Sequence, residues 1–401
     1  MTWLGVKSKH FGVGEYRRHL YGSKVSADTF DPGNSATEKL RRKANEECLN
    51  DMIDFLTKQG GQVGIYDASN LVATERRELY NKLFEIGIHP LFIEYICDKQ
   101  EVVEDNIRKV KVISPDYVSW DKEKAFEDFK EKIKRMEPLY QTIEDIDLPF
   151  VKLYNVGDRI IVNQINGYLQ TRIVFYLMNL HISNRTIYLA RSGQSVREDS
   201  YKADAQLSEE GIKYSKALYK AVTKRINETQ GSQKTNEASK LPSALKVWTS
   251  ARLKCSQTTE YFKQDPNAVV RQRMLLKGLN PGLCESLDMD QIKEQFPKEY
   301  EHFIKNPYTH RFPRAESYHD VAVRLEAVIL ELEREKNDVI IIAPESVLRC
   351  IYAYFAPNPV PKNEIPNLKF PRTTFMEITP TAYGCKNTIL DIDVDGISIE
   401  D

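Results

Sequence analysis

The sequence predicts two α/β domains in tandem, and three observations carry that reading. Strand-like apolar runs alternate with helical patterns through the first half, and the same alternation returns in the second half. The chain has 401 residues, and single cores stop growing at about 250 to 300. The expected boundary lies at residue 184, giving domains 1–184 and 185–401.

In the first half, Gln62 to Asp67 reads as a strand, Thr74 to Gly87 as a helix and His89 to Ile96 as a strand. Glu101 to Lys111 and Asp121 to Met136 follow as helices, and Phe150 to Val156 as a strand. A long helix is expected from Ile160 to Leu180. This order predicts a mostly parallel sheet covered by helices. In the second half, Ile187 to Ala190 forms a short strand. Ser208 is placed to cap a helix running to about Arg225, with Glu209 and Glu210 in its first turn. Gln230 to Leu241 lacks periodicity and reads as a surface loop. Ser317 to Lys336 carries Val321, Leu325, Val328, Ile329 and Leu332 at helical spacing. Asp338 to Ile342 is a buried strand that Pro344 closes.

Composition excludes several classes. Charged residues make up 29% and hydrophobic ones 41%, and the net charge is -1, so there is no electrostatic reason to expect nucleic acid or an anionic membrane. The six cysteines include no CxxC pair, which argues against a disulfide framework or zinc site and fits a reducing cytosol. The N-terminal residues lack the apolar core of a signal peptide, and no window approaches the roughly 20 apolar residues of a membrane span. A cytoplasmic protein is expected.

The stretch most open to chemistry is IYLARSGQS, Ile187 to Ser195. A strand ending in Arg191, Ser192 and Gly193 offers a guanidinium and free backbone N–H groups to an oxyanion at a sheet's carboxyl edge. Its company makes it specific: VWTSARLKCSQTTEYF (Val247 to Phe262), LCESLDMDQI (Leu283 to Ile292), HRFPRAESYHD (His310 to Asp320), IIIAPESVLRC (Ile340 to Cys350) and PRTTFMEITPTAYGC (Pro371 to Cys385). In that order these segments resemble the histidine phosphatase fold. They are closest to the bisphosphatase half of the 6-phosphofructo-2-kinase/fructose-2,6-bisphosphatase family.

The resemblance implies a phosphate pocket formed by Arg191, Lys254 (a family arginine), Arg311, Arg314 (a family lysine) and Arg349. It implies Glu285 as the acid that protonates the leaving oxygen. Two departures remove the chemistry. Ser192 stands where the family has the histidine that takes the phosphoryl group, and Pro344 stands at its second histidine position. Neutral imidazole is a good nucleophile at pH 7, a serine hydroxyl without a base is not, and proline has neither an ionisable group nor an N–H. Glu345 replaces a glutamine, Glu198 an asparagine and Phe296 a tyrosine. Lys254 cannot make the bidentate fork of an arginine. No bisphosphatase activity is expected.

The first half resembles the kinase half of the same family through GEYRR (Gly14 to Arg18), GQVGIYDASN (Gly61 to Asn70), FIEYIC (Phe92 to Cys97), the segment Glu104 to Tyr117 with Asp105 inserted, and NVGDRIIVN (Asn155 to Asn163). That implies a P-loop-kinase-like parallel sheet, with ATP and magnesium as cofactors. Arg17 or Arg18, Arg41 and Arg159 match arginines that hold fructose 6-phosphate. Asp67 matches the magnesium-side acid, and a hard carboxylate oxygen suits that cation. An apolar strand ending in Asp is also an ordinary turn or cap. Ser69 matches a family threonine beside that acid, Asn106 to Lys111 a nucleotide contact, and Cys97 a cysteine near the reacting centre.

One part is missing. The string GxxxxGK[ST], whose loop amides cradle phosphates and whose lysine neutralises developing charge, does not occur in these 401 residues. The resemblance begins at Thr2, after the point where the family places its P-loop, so the first strand, that loop and its helix are expected to be lacking. Either Met1 is an internal methionine of a longer protein, or the chain is a pseudoenzyme without either chemistry. The first is favoured, because removing a central strand exposes apolar sheet edges. The expected function is therefore that of a 6-phosphofructo-2-kinase family protein of fructose 2,6-bisphosphate metabolism with a silent phosphatase half. The alternative is a noncatalytic sugar-phosphate-binding or regulatory partner. Fructose 6-phosphate or fructose 2,6-bisphosphate is the expected ligand, no nucleic acid or membrane is expected, and a homodimer is an open option.

Overall fold

The computed structural model describes residues 2–22, 35–108, 114–155, 158–179, 185–198, 200–233, 244–381 and 384–393. Lys111 and part of the loop expected at 230–241 lie outside them. The chain divides into two compact units, Met1–Leu180 and His181–Asp401. Among the described residues, no helix is long and apolar enough to cross a membrane.

The first unit is a small parallel α/β unit whose sheet comes in two pieces. Strands β1 (Ser8–Gly12) and β2 (Val63–Asp67) pair in parallel, with Ser8 opposite Val63 and Gly12 opposite Asp67. β3 (Phe92–Ile96) pairs in parallel with β4 (Phe150–Tyr154), which pairs antiparallel with β5 (Arg159–Asn163). No pairing joins β2 to β3 among the described residues. The helix Ala73–Glu85 connects them and ties the pieces together. Its Leu79 packs on the cluster of Phe11, Cys48, Met52 and Phe55 and also on that of Phe92, Leu148 and Phe150. Its buried Arg76 donates to the carbonyls of Asn70 and Leu71 in the turn after β2.

One expectation fails here for an identifiable reason. The helix expected from Ile160 to Leu180 is instead β5 followed by a helix at Tyr168–Asn179. Ile160, Ile161 and Val162 are β-branched and fit an edge strand. Gln164 (φ 47°) and Gly167 (φ 90°) then turn the chain in the left-handed region that no helix allows. The helix expected over Glu101 to Lys111 is helical as far as residue 108, and residues 109–111 lie outside the described residues; the strand expected from His89 starts at Phe92.

The second unit has one continuous mixed sheet. Its strands β6 (Ile187–Arg191), β7 (Leu245–Ser250), β8 (Ala268–Arg273), β9 (Val339–Ala343), β10 (Thr374–Thr381) and β11 (Gly384–Asp391) lie in the order β11-β10-β6-β9-β7-β8. β6, β9, β7 and β8 are mutually parallel, while β10 runs antiparallel to β6 and β11. All five residues of β9 are buried, as a strand covered on both faces requires. Tyr188, Val247, Ile340, Ile342 and Phe375 form the core against Tyr214, Leu218 and Val222, which lie on the helix Glu209–Gln233. That helix runs past Arg225, so residues 230–233, expected in a loop, are helical. The Ser208 hydroxyl accepts from the Gly211 N–H at its start. The helix Tyr318–Arg334 begins with a full capping box, in which Ser317 and Asp320 each bond the other's backbone N–H.

Candidate functional site

The parallel register of β6 and β9 decides the geometry of the second unit. Arg191 lies opposite Ala343, so the next residues, Ser192 and Pro344, emerge side by side at the sheet's carboxyl edge. The Ser192 N–H donates to the Ala343 carbonyl at 3.3 Å. β7 ends beside them and delivers Arg252 and Lys254, so three strand ends converge where open α/β sheets place their ligands. A cavity of about 510 Å³ opens there, lined among others by Ser195, Glu198, Lys254, Cys284, Pro344 and Ser346.

Ser192 is buried, at 2% exposure. Its hydroxyl bonds the Cys255 thiol, which burial pushes up to about 11. A thiol protonated at neutral pH is no base for a serine. Pro344 instead serves the fold: its extended backbone (φ −60°, ψ 150°) precedes the helix Glu345–Phe355, and its carbonyl accepts the N–H groups of Val347 and Leu348.

The cations of the pocket already hold carboxylates. One Glu198 oxygen accepts from the Ser195 N–H at 2.6 Å and lies 3.2 Å from the Arg372 guanidinium, and the other lies 3.2 Å from Lys254 Nζ. Burial works to raise the Glu198 carboxyl, but Lys254, the Ser195 N–H and Arg372 outweigh it and hold it below the usual range. One Glu345 oxygen lies 3.2 Å from Arg349 and accepts the Phe370 N–H at 3.0 Å, and the other lies 3.9 Å from Arg191. Arg349 also donates to the Tyr318 hydroxyl and the Leu368 carbonyl.

Glu285 accepts the Lys202 N–H at 2.7 Å and the Ser200 hydroxyl at 2.9 Å, and its second oxygen lies 3.0 Å from Lys202 Nζ. The Lys202 backbone, then Lys202 Nζ and Ser200, lower its pKa. An efficient general acid has a pKa near the working pH, so a carboxyl held ionised is poorly placed to donate a proton. Arg311 grips Asp320 of the capping box through both guanidinium bonds and is largely exposed. Arg314 is exposed on a turn at φ 61°. That turn lies against Gly282, where a Cβ would meet the Pro313 carbonyl at 2.3 Å, so only glycine lets the 313–315 turn lie against the Cys284 loop.

Sequence reasoning missed Arg372. It is 3% exposed and donates from Nε to the Ser192 carbonyl at 3.0 Å. The segment containing it was legible, but no local pattern separates Arg372 from a surface arginine, because its partners lie 180 and 174 positions away in sequence (372 minus 192 and 372 minus 198).

In the first unit, Arg17 and Arg18 share Asp116, at 2.6 and 3.6 Å. Arg41 lies on the helix Ser35–Thr57. Arg159 opens β5 with its guanidinium 5.2 Å from the Tyr154 ring centre. Asp67 ends β2, largely exposed, with His10 Nε2 3.5 Å away. Ser69 and Asn106 are exposed. Cys97 follows β3 and reaches the Lys99 carbonyl. Among the described residues no group of three or more His, Cys, Asp or Glu side chains is placed to hold a metal ion.

Two consecutive α/β units, the second with its site at the carboxyl ends of parallel strands, define the class, and the comparisons define the family. Residues 1–184 match the 6-phosphofructo-2-kinase family and residues 187–392 the histidine phosphatase superfamily (branch 1). The 6-phosphofructo-2-kinase/fructose-2,6-bisphosphatase 3 of Rattus norvegicus is 36% identical over 99% of this chain and 69% of its own length. The Homo sapiens 6-phosphofructo-2-kinase/fructose-2,6-bisphosphatase 1 is 34% identical over 99% of this chain and 81% of its own. A putative alpha-ribazole-5'-P phosphatase from Escherichia coli aligns at 13% identity with a TM-score of 0.40, over 52% of this chain and 97% of that one. This chain belongs to the 6-phosphofructo-2-kinase/fructose-2,6-bisphosphatase family.

Proposed function

We propose that this chain serves fructose 2,6-bisphosphate metabolism as a family member whose phosphatase-like unit is silent. The observation that carries this reading is the pairing of Ser192 with Pro344 at the ends of β6 and β9. Pro344 has no group that could receive a phosphoryl group, and the Ser192 hydroxyl bonds the Cys255 thiol, which is no base at neutral pH. Glu285, held ionised, adds to the case on the leaving-group side.

The kinase-like unit is the candidate for binding fructose 6-phosphate through Arg17, Arg18, Arg41 and Arg159. The residues present do not fit a bound ATP–magnesium pair: the chain contains no GxxxxGK[ST], and Asp67 stands exposed with His10 as its neighbour. No transfer step is therefore assigned to these 401 residues. A noncatalytic partner role draws support from the half-exposed Ile65, Ile93 and Tyr95 on β2 and β3, which suit contact with another polypeptide.

The test offers the purified chain ATP with fructose 6-phosphate and, separately, fructose 2,6-bisphosphate. No product is expected in either assay. Phosphate release within about tenfold of an active relative's rate, about 1.4 kcal/mol in barrier, would overturn the silent-phosphatase reading.

A further inference from the structure

We propose that Glu198 and Glu345 act as built-in substitutes for phosphate oxygens, closing the second unit's pocket to phosphorylated ligands. The geometry is that of an occupied oxyanion site. Each carboxylate takes a backbone N–H, Ser195 for Glu198 and Phe370 for Glu345. Each also takes two cations from different parts of the chain: Lys254 and Arg372 for Glu198, Arg191 and Arg349 for Glu345. A backbone N–H combined with convergent cations is the donor set that recognises phosphate. Here the protein's own carboxylates fill it.

Charge and covalent attachment reinforce each other. Four cations face two carboxylates that hydrogen bonds hold in place. A phosphoryl dianion must therefore displace the carboxylates, which are tethered and so present at high effective concentration, or bind beside them against like charge. Glu198 lines the cavity beside Lys254, so a ligand entering there meets the carboxylate together with the ammonium. Glu345 follows Pro344, which lines the cavity, and takes the charge of Arg191 and Arg349. The two glutamates thus determine ligand specificity, and the surviving arginines are not evidence of phosphate binding. This gate deepens the silent-phosphatase reading and fails independently of it, because its test reads binding without turnover.

The full chain is compared with Glu198→Gln, Glu345→Gln and the double variant, with Glu260→Gln on the surface as control. Isothermal titration uses orthophosphate and fructose 2,6-bisphosphate, and thermal melting is followed with and without orthophosphate. The wild type and the control are expected to give no heat at ligand concentrations below millimolar and no shift in melting temperature. The double variant is expected to bind at least about tenfold more tightly than the wild type and to melt higher with phosphate. Submillimolar binding by the wild type would overturn the proposal. So would unchanged affinity in double-variant protein that keeps its circular-dichroism spectrum. If the double variant fails to fold, the single variants and the wild-type titration decide by the same criteria.

Discussion

In the second unit β9 runs between β6 and β7 with every residue buried. In the first unit β2 and β3 each pair on one side only among the described residues, leaving Ile65 54%, Ile93 51% and Tyr95 48% exposed. The better-built sheet is the one that carries Ser192 and Pro344 at its strand ends. Fold and reaction rest on different residues. Burial of apolar side chains on both faces of β6, β9 and β7 holds the sheet, and Ser192 and Pro344, just past the strand ends, leave that burial intact. The first unit's sheet is less completely covered.

The contrast can be broken most directly at buried pairs. Arg185 is 2% exposed and bonds Glu333, which also accepts from Tyr354. Arg185→Met strands that carboxylate and is expected to cost the second unit about 3–5 kcal/mol in urea denaturation. Arg77→Met, which removes exposed pairs with Asp145 and Asp147 in the first unit, should leave the transition unchanged within error. Equal effects would end the contrast. Ile340→Ala in β9, at 0% exposure, should cost about 2–5 kcal/mol, whereas Ile65→Ala in β2 should stay within about 0.5 kcal/mol.

Acid sharpens the comparison further. Burial works to raise the Asp320 carboxyl, but hydrogen bonds from Arg311 and Ser317 outweigh it and leave it at about 2, against an ordinary 3.8. A lowered carboxyl stabilises the fold above its unfolded value, and the contribution is lost as pH falls through the folded one. Melting of the second unit should therefore lose about 2 kcal/mol of stabilisation between about pH 4 and 2, and Asp320→Asn should flatten that slope. The smallest expected effect is local. Hydrogen exchange should be slower at β9 amides than at those of β2 and β3, because opening an edge strand disrupts less packing. Comparable protection would show that the divided sheet is as well held as the continuous one.

Much of this was legible because the signals are local. The apolar run Ile187 to Ala190, the helical spacing of Val321 to Leu332 and the Ser317 cap each specify an element within a few residues. Ser192 and Pro344 were identifiable as departures from a pattern. The strand Arg159–Asn163 was not, because Ile160 to Val162 suits a buried helix as well as a strand, and its pairing with β4 decided between them. The longer-range polar contacts of Glu198 and Glu345 were also hidden, since they join residues from 25 to 174 positions apart (Glu345 to Phe370, Glu198 to Arg372).

By itself the sequence determined the two α/β units, their family and the identity of Ser192 and Pro344 at the strand ends, because periodicity, turn chemistry and residue identity are properties of short stretches. Only the tertiary structure decided that Arg191 and Lys254, cations expected in the phosphate pocket, already face carboxylates. Charge neutralisation depends on which side chains meet in space, and Arg191, Lys254 and Arg372 come to their carboxylates from separate elements of the folded chain.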